Sequence, residues 1–122
     1  WNHDFAPTKT MFTRSLQYWL EEYKVDGYRM DLSHGLCGTA ANTSVKHIKE
    51  YYQNGVKAVS EDAYFILEHW GANMGSERPA LIKEGMMCWD NTTNAYYQTA
   101  MGWLKEGDSF ANANRQGYVT YC

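Results

Sequence analysis

The stretch VDGYRMDLSHG (25–35) decides how this chain is read. It is a short apolar run, interrupted by Gly27 and Arg29 and closed by Asp31, that leads into a small-residue loop. A second run, YFILEHW (64–70), closes in the same way on a single carboxylate, Glu68. Both runs have the length and the β-branched and aromatic content of buried strands. If they are parallel neighbours, Asp31 and Glu68 stand at the same edge of the sheet. That edge is where α/β proteins place their chemistry.

Between and around these runs the spacing changes to that of helices. MFTRSLQYWLEEY (11–23) repeats apolar residues at Met11, Phe12, Leu16, Trp19, Leu20 and Tyr23. Pro7 and Thr8 or Thr10 punctuate its start. Val45, Ile48, Tyr52, Val56 and Val59 mark a second helix, with Asn54-Gly55 as the point where it is expected to kink. Ser76 is the expected cap of a short helix running to Glu84. GMMCW (85–89) reads as a third strand, residues 91–105 as a fourth helix, and YVTYC (118–122) as the start of a fourth strand. Helix and strand thus alternate four times. This predicts an α/β fold with parallel strands and helical crossovers. No GxGxxG follows any strand, which removes the main support for a dinucleotide site.

Composition narrows the function classes. The chain has 122 residues and a formal net charge of -3, with no lysine or arginine cluster, so nucleic acid is not an expected partner. No segment has the length and apolarity of a membrane span. The three widely spaced cysteines, Cys37, Cys88 and Cys122, make neither a disulfide framework nor a zinc knuckle. His3, His34, His47 and His69 show no metal-binding helix spacing. No metal site or cofactor is therefore expected within the segment. Aromatic residues make up 16%, including ten tyrosines and five tryptophans, which supplies faces on which sugar rings stack.

Two carboxylates across a cleft are the minimum needed to cleave a glycosidic bond. Period two places Arg29 and Asp31 on one strand face, where the guanidinium favours an ionised Asp31. Glu68 is placed one strand away for proton transfer. Retaining chemistry needs carboxyls about 5–5.5 Å apart, and neighbouring strands lie about 4.8 Å apart. Around the pair, His34, His69, Trp70, Asp90 and Asn91 are candidates for substrate contact. His34 also suits a loop-ordering role, His69 a satisfied core position and Trp70 loop packing.

VDGYRMDLSHG resembles the second conserved region of the alpha-amylase family, glycoside hydrolase family thirteen, and YFILEHWG resembles the third. GMMCWDNTTNAYYQTAMGW resembles the segment after the sixth barrel strand in secreted bacterial members. The resemblance runs over the whole chain. It implies a fragment of a TIM (β/α)8 barrel, with residues 1–122 a partial catalytic domain spanning roughly strands four to seven. It further implies Asp31 as nucleophile, Glu68 as general acid/base and Arg29 as the arginine beside the nucleophile. Where many members carry a lysine-histidine pair, this chain has His34 and Gly35, so substrate contact there is open. The implied activity is retaining hydrolysis of alpha-glucosidic bonds in starch or maltooligosaccharides. Alternatives are a transglycosylase or alpha-1,6-glucosidase of the same family, or a noncatalytic carbohydrate-binding relative. The resemblance also implies that the remainder of the barrel is needed for activity, with the family's third carboxylate beyond Cys122. Calcium in a full-length parent and a secreted or periplasmic location are expected on the same ground.

Overall fold

A computed structural model describes residues 1–71, 73–89 and 100–101. The chain divides into two compact units, Trp1–Trp89 and Asp90–Cys122. The first unit contains α1 (Ala6–Tyr23), β1 (Gly27–Met30), α2 (Ser44–Tyr51), β2 (Tyr64–Leu67), α3 (Met74–Ile82) and β3 (Met87–Cys88). The three strands are parallel and lie in the order β1-β2-β3. The expected helix over 91–105 lies outside the described residues apart from Ala100 and Met101, as does all of the expected strand over 118–122.

Each helix begins and ends for a local reason. Pro7 sits in the first turn of α1, where a missing amide hydrogen costs nothing. Lys24, in the left-handed region with φ 52°, ends the helix. The second helix does not break at Asn54-Gly55. Its backbone widens into π-helical turns over Tyr52–Lys57, with the Ala58 amide donating to the Gln53 carbonyl at 3.1 Å. At Gly55 a Cβ would lie 2.9 Å from Leu16 Cδ1, so the glycine allows α1 to close onto this segment. Ser76 is not the cap of α3. The helix starts three residues earlier, after Asn73, and the Ser76 hydroxyl turns back to the Asn73 carbonyl at 3.0 Å.

The core lies between the helices and one face of the sheet. Leu16 and Leu20 from α1, Ile48 and Tyr51 from α2, and Leu81 from α3 pack with Phe65 and Leu67 of β2. Tyr52 stacks on Phe65 at 5.6 Å, and Tyr28 meets Phe65 edge-on at 6.3 Å. Full burial of a Phe or Leu side chain contributes about 1.5–3 kcal/mol. The alternate positions, Tyr64 and Ile66, are less buried than Phe65 and Leu67. Strand alternation puts Arg29 on that second face with them, as paired with Ile66.

Gly27 is required by the pairing of β1 with β2. A Cβ there would lie 2.3 Å from the Tyr64 carbonyl oxygen, a backbone atom that cannot swing aside. Gly27→Ala should therefore destabilise the fold by about 3 kcal/mol, read as a lower urea midpoint. An unchanged midpoint would show that the two strands are not packed this closely.

The segment before α1 is anchored to the loop after β1. The His3 amide donates to the Cys37 carbonyl at 3.0 Å, and the Thr39 amide to Asp4 Oδ2 at 2.8 Å. Asp4 Oδ1 also lies 3.2 Å from Nε2 of the buried His47, and His3 Nδ1 lies 2.6 Å from the Tyr51 hydroxyl. Burial, with His47 nearby, pushes the His3 imidazole below its ordinary pKa.

Candidate active site

Parallel pairing ends with Met30 opposite Leu67, and the next residues on each strand are Asp31 and Glu68. The Glu68 amide donates to the Met30 carbonyl at 3.0 Å, and the Ser33 amide to the Glu68 carbonyl at 3.1 Å. The two carboxylates thus leave the sheet at one edge and at one level. This juxtaposition follows from register.

Arg29 links them. Its Nη1 donates to Asp31 Oδ1, and its Nη2 lies 2.8 Å from Glu68 Oε2. Glu68 Oε2 accepts a second bond, from the Leu32 amide at 3.0 Å. Leu32 turns this amide inward by adopting the left-handed region, φ 41° and ψ 49°. That conformation costs a non-glycine residue about 1–2 kcal/mol, strain of the kind that collects at functional sites.

The two acids differ in their surroundings. The Asp31 side chain is 73% exposed, whereas that of Glu68 is 9% exposed. The Arg29 hydrogen bond holds the Asp31 carboxyl below its ordinary pKa, against an opposing desolvation effect and with smaller help from the guanidinium charge and a Glu68 hydrogen bond. Asp31 is thereby held ionised and accessible.

The remaining candidates fall into three groups. His69 is fully buried, and both its ring nitrogens face protein: Nδ1 lies 3.1 Å from Ser33 Oγ and Nε2 2.9 Å from Glu77 Oε2. It ties the end of β2 to the turn after β1 and to the first turn of α3. His34 and Trp70 are half-buried, and His34 Nδ1 and Trp70 Nε1 are enclosed without a hydrogen-bond partner among the described residues. Asp90 and Asn91 lie outside the described residues. One neighbour of the site, Trp89, carries no role in the sequence reading. Its indole lies beneath Arg29, with Cζ 4.7 Å from the ring centroid. The signal available was its place just after a strand, at the level of Glu68.

Among the described residues, no group of three or more His, Cys, Asp and Glu is arranged to hold a metal ion, and no helix is long and apolar enough to cross a membrane. No protein-family model matches this chain, and no curated protein matches it significantly.

Proposed function

We propose that this chain carries the nucleophile and the general acid/base of an alpha-amylase-like glycoside hydrolase, a retaining enzyme acting on alpha-glucosidic bonds in starch or maltooligosaccharides. In this reading the sheet is part of a (β/α)8 barrel, and the face bearing Arg29 is its interior. The observation that carries the proposal is the single guanidinium shared by Asp31 and Glu68 at the carboxyl ends of neighbouring parallel strands.

The roles follow from the differences between the two acids. Asp31, exposed and held ionised by Arg29, attacks the anomeric carbon as the C–O bond to the leaving sugar breaks. Glu68 gives its proton to the departing glycosidic oxygen. Arg29 Nη2 and the Leu32 amide both engage its Oε2 and fix the carboxyl group in place. In the second half, Glu68 takes a proton from water, the hydroxide oxygen bonds to the anomeric carbon, and Asp31 is released. His69 keeps the Glu68 strand end fixed to the neighbouring turn. Trp70 and His34, in the loops that follow β2 and β1, are proposed to contact the sugar.

The test is the stereochemistry of the product. With the complete catalytic domain, maltooligosaccharide cleavage followed by NMR should release the alpha anomer first, before mutarotation. Initial release of the beta anomer would reject the double displacement, and with it the nucleophilic role of Asp31.

A further inference from the structure

Trp89 is fixed more firmly than a residue that only fills space. Its amide donates to the Leu67 carbonyl at 3.1 Å, and its own carbonyl accepts from Arg78 Nη2 at 2.7 Å. These bonds hold the backbone on two sides, at the register position next to Glu68. Trp70 stacks against the indole, with ring centroids 6.4 Å apart and planes 30° from parallel. On this supported ring rests the Arg29 guanidinium, 4.7 Å from the centroid. An indole face attracts a guanidinium more strongly than other aromatic faces do, and the flat cation can stack on it.

The arginine has reason to need such a seat. Its side chain is 36% exposed, and it must serve two carboxylates in different directions, Asp31 from Nη1 and Glu68 from Nη2. A long side chain free to change rotamer would satisfy one acid at the expense of the other. We propose that Trp89 is a positioning residue: its indole face holds the Arg29 guanidinium in the orientation that reaches Asp31 and Glu68 together. The kinetic consequence rests on the glycosidase reading, whereas the geometric one stands without it. The charged groups that act on Asp31 are Arg29 from β1 and Glu68 just past β2; Trp89, just past β3, is uncharged and lies against Arg29.

The experiment reads the Asp31 carboxyl directly. Side-chain carbon NMR gives the titration midpoints of Asp31 and Glu68 in the same spectra. They would be compared in the parent protein, Trp89→Leu, Trp89→Phe, Arg29→Ala and the Arg29→Ala/Trp89→Leu pair. Trp89→Leu should move the Asp31 midpoint up by about half a pH unit, and Trp89→Phe, which keeps an aromatic face, by less. In the Arg29→Ala background Trp89→Leu should move it no further, because the indole acts through the arginine. In the parent protein the Arg29 guanidinium resonances should carry a ring-current shift that is lost in Trp89→Leu, a measurement that needs no titration.

On maltooligosaccharides, Trp89→Leu should lower kcat about five- to tenfold with KM within about twofold, and Trp89→Phe should recover most of the loss. The proposal is overturned if the Asp31 midpoint is unchanged in Trp89→Leu, or moves equally without Arg29. It is also overturned if KM rises while kcat holds, which would make Trp89 a platform for substrate. A protein carrying the complete catalytic domain that cleaves no alpha-glucan, yet shows the full set of midpoint and ring-current changes, would keep the positioning role and reject the glycosidase reading.

Discussion

Asp31→Asn should lower turnover on maltooligosaccharides by about four orders of magnitude, and Glu68→Gln by about two to four. The substitutions are nearly isosteric, so the fold should survive and the loss should appear in kcat. An α-glucosyl fluoride separates the roles, because its leaving group departs without a proton. Glu68→Gln should recover its first chemical step on that substrate, seen as a burst of fluoride. Asp31→Asn should not, since the missing nucleophile is needed with any leaving group. If both variants respond alike to the fluoride, the division of roles is wrong. If Asp31→Asn turns over maltooligosaccharides at near the parental rate, the whole assignment fails.

The second large effect belongs to Arg29. Lysine keeps the charge but not the fork, and one ammonium cannot reproduce bonds to both Asp31 and Glu68. Arg29→Lys should reduce kcat/KM by about 10²- to 10³-fold, the scale for removing an organised donor from an active site. The pH profile should change in a defined direction. Because the Arg29 hydrogen bond lowers the Asp31 pKa, the ionised Asp31 carboxylate persists to lower pH in the parent protein. Loss of that bond should move the acid limb of kcat/KM upward, toward the ordinary carboxylate range. Any stability that Asp31 draws from this pairing is present above its unfolded pKa and lost as pH falls through the folded one. A limb that stays in place would mean that Arg29 does not control Asp31.

The parts legible in the sequence are those carried by local pattern. Phe65 and Leu67 belong to a continuous apolar run, and that run is β2. The i, i+4 spacing of Leu16 and Leu20 marks the buried stripe of α1. Arg29 and Asp31 share a strand face by simple alternation, and the two meet as a salt bridge. What escaped the reading depends on partners distant in sequence. The partners that satisfy His69, Ser33 and Glu77, and the anchoring of His3 and Asp4 on the loop after β1, have no local signature. Trp89 looked like the end of a weak strand because nothing in GMMCW announces an arginine sixty positions away in sequence. Ser76 carried a good capping residue type, but Asn73 stood three places earlier, and the helix began there.

The π-helical turns over Tyr52–Lys57 let a helix follow a rhythm that is not its own. Buried residues come in pairs, His47 and Ile48, Tyr51 and Tyr52, Gly55 and Val56, a strict beat of four. An ordinary α-helix advances about 100° per residue, so a four-residue beat would walk the inward stripe sideways by about 40° at each step. Over Tyr52–Lys57 the wider turn winds more residues into each revolution and offsets the drift of the step from Tyr51 and Tyr52 to Gly55 and Val56. The chain therefore has a vernier in this segment: one residue fewer would restore ordinary winding while swinging Gly55 out of line with Leu16. The distance at which α1 rides over the core is set by this counting of residues as much as by the size of any side chain.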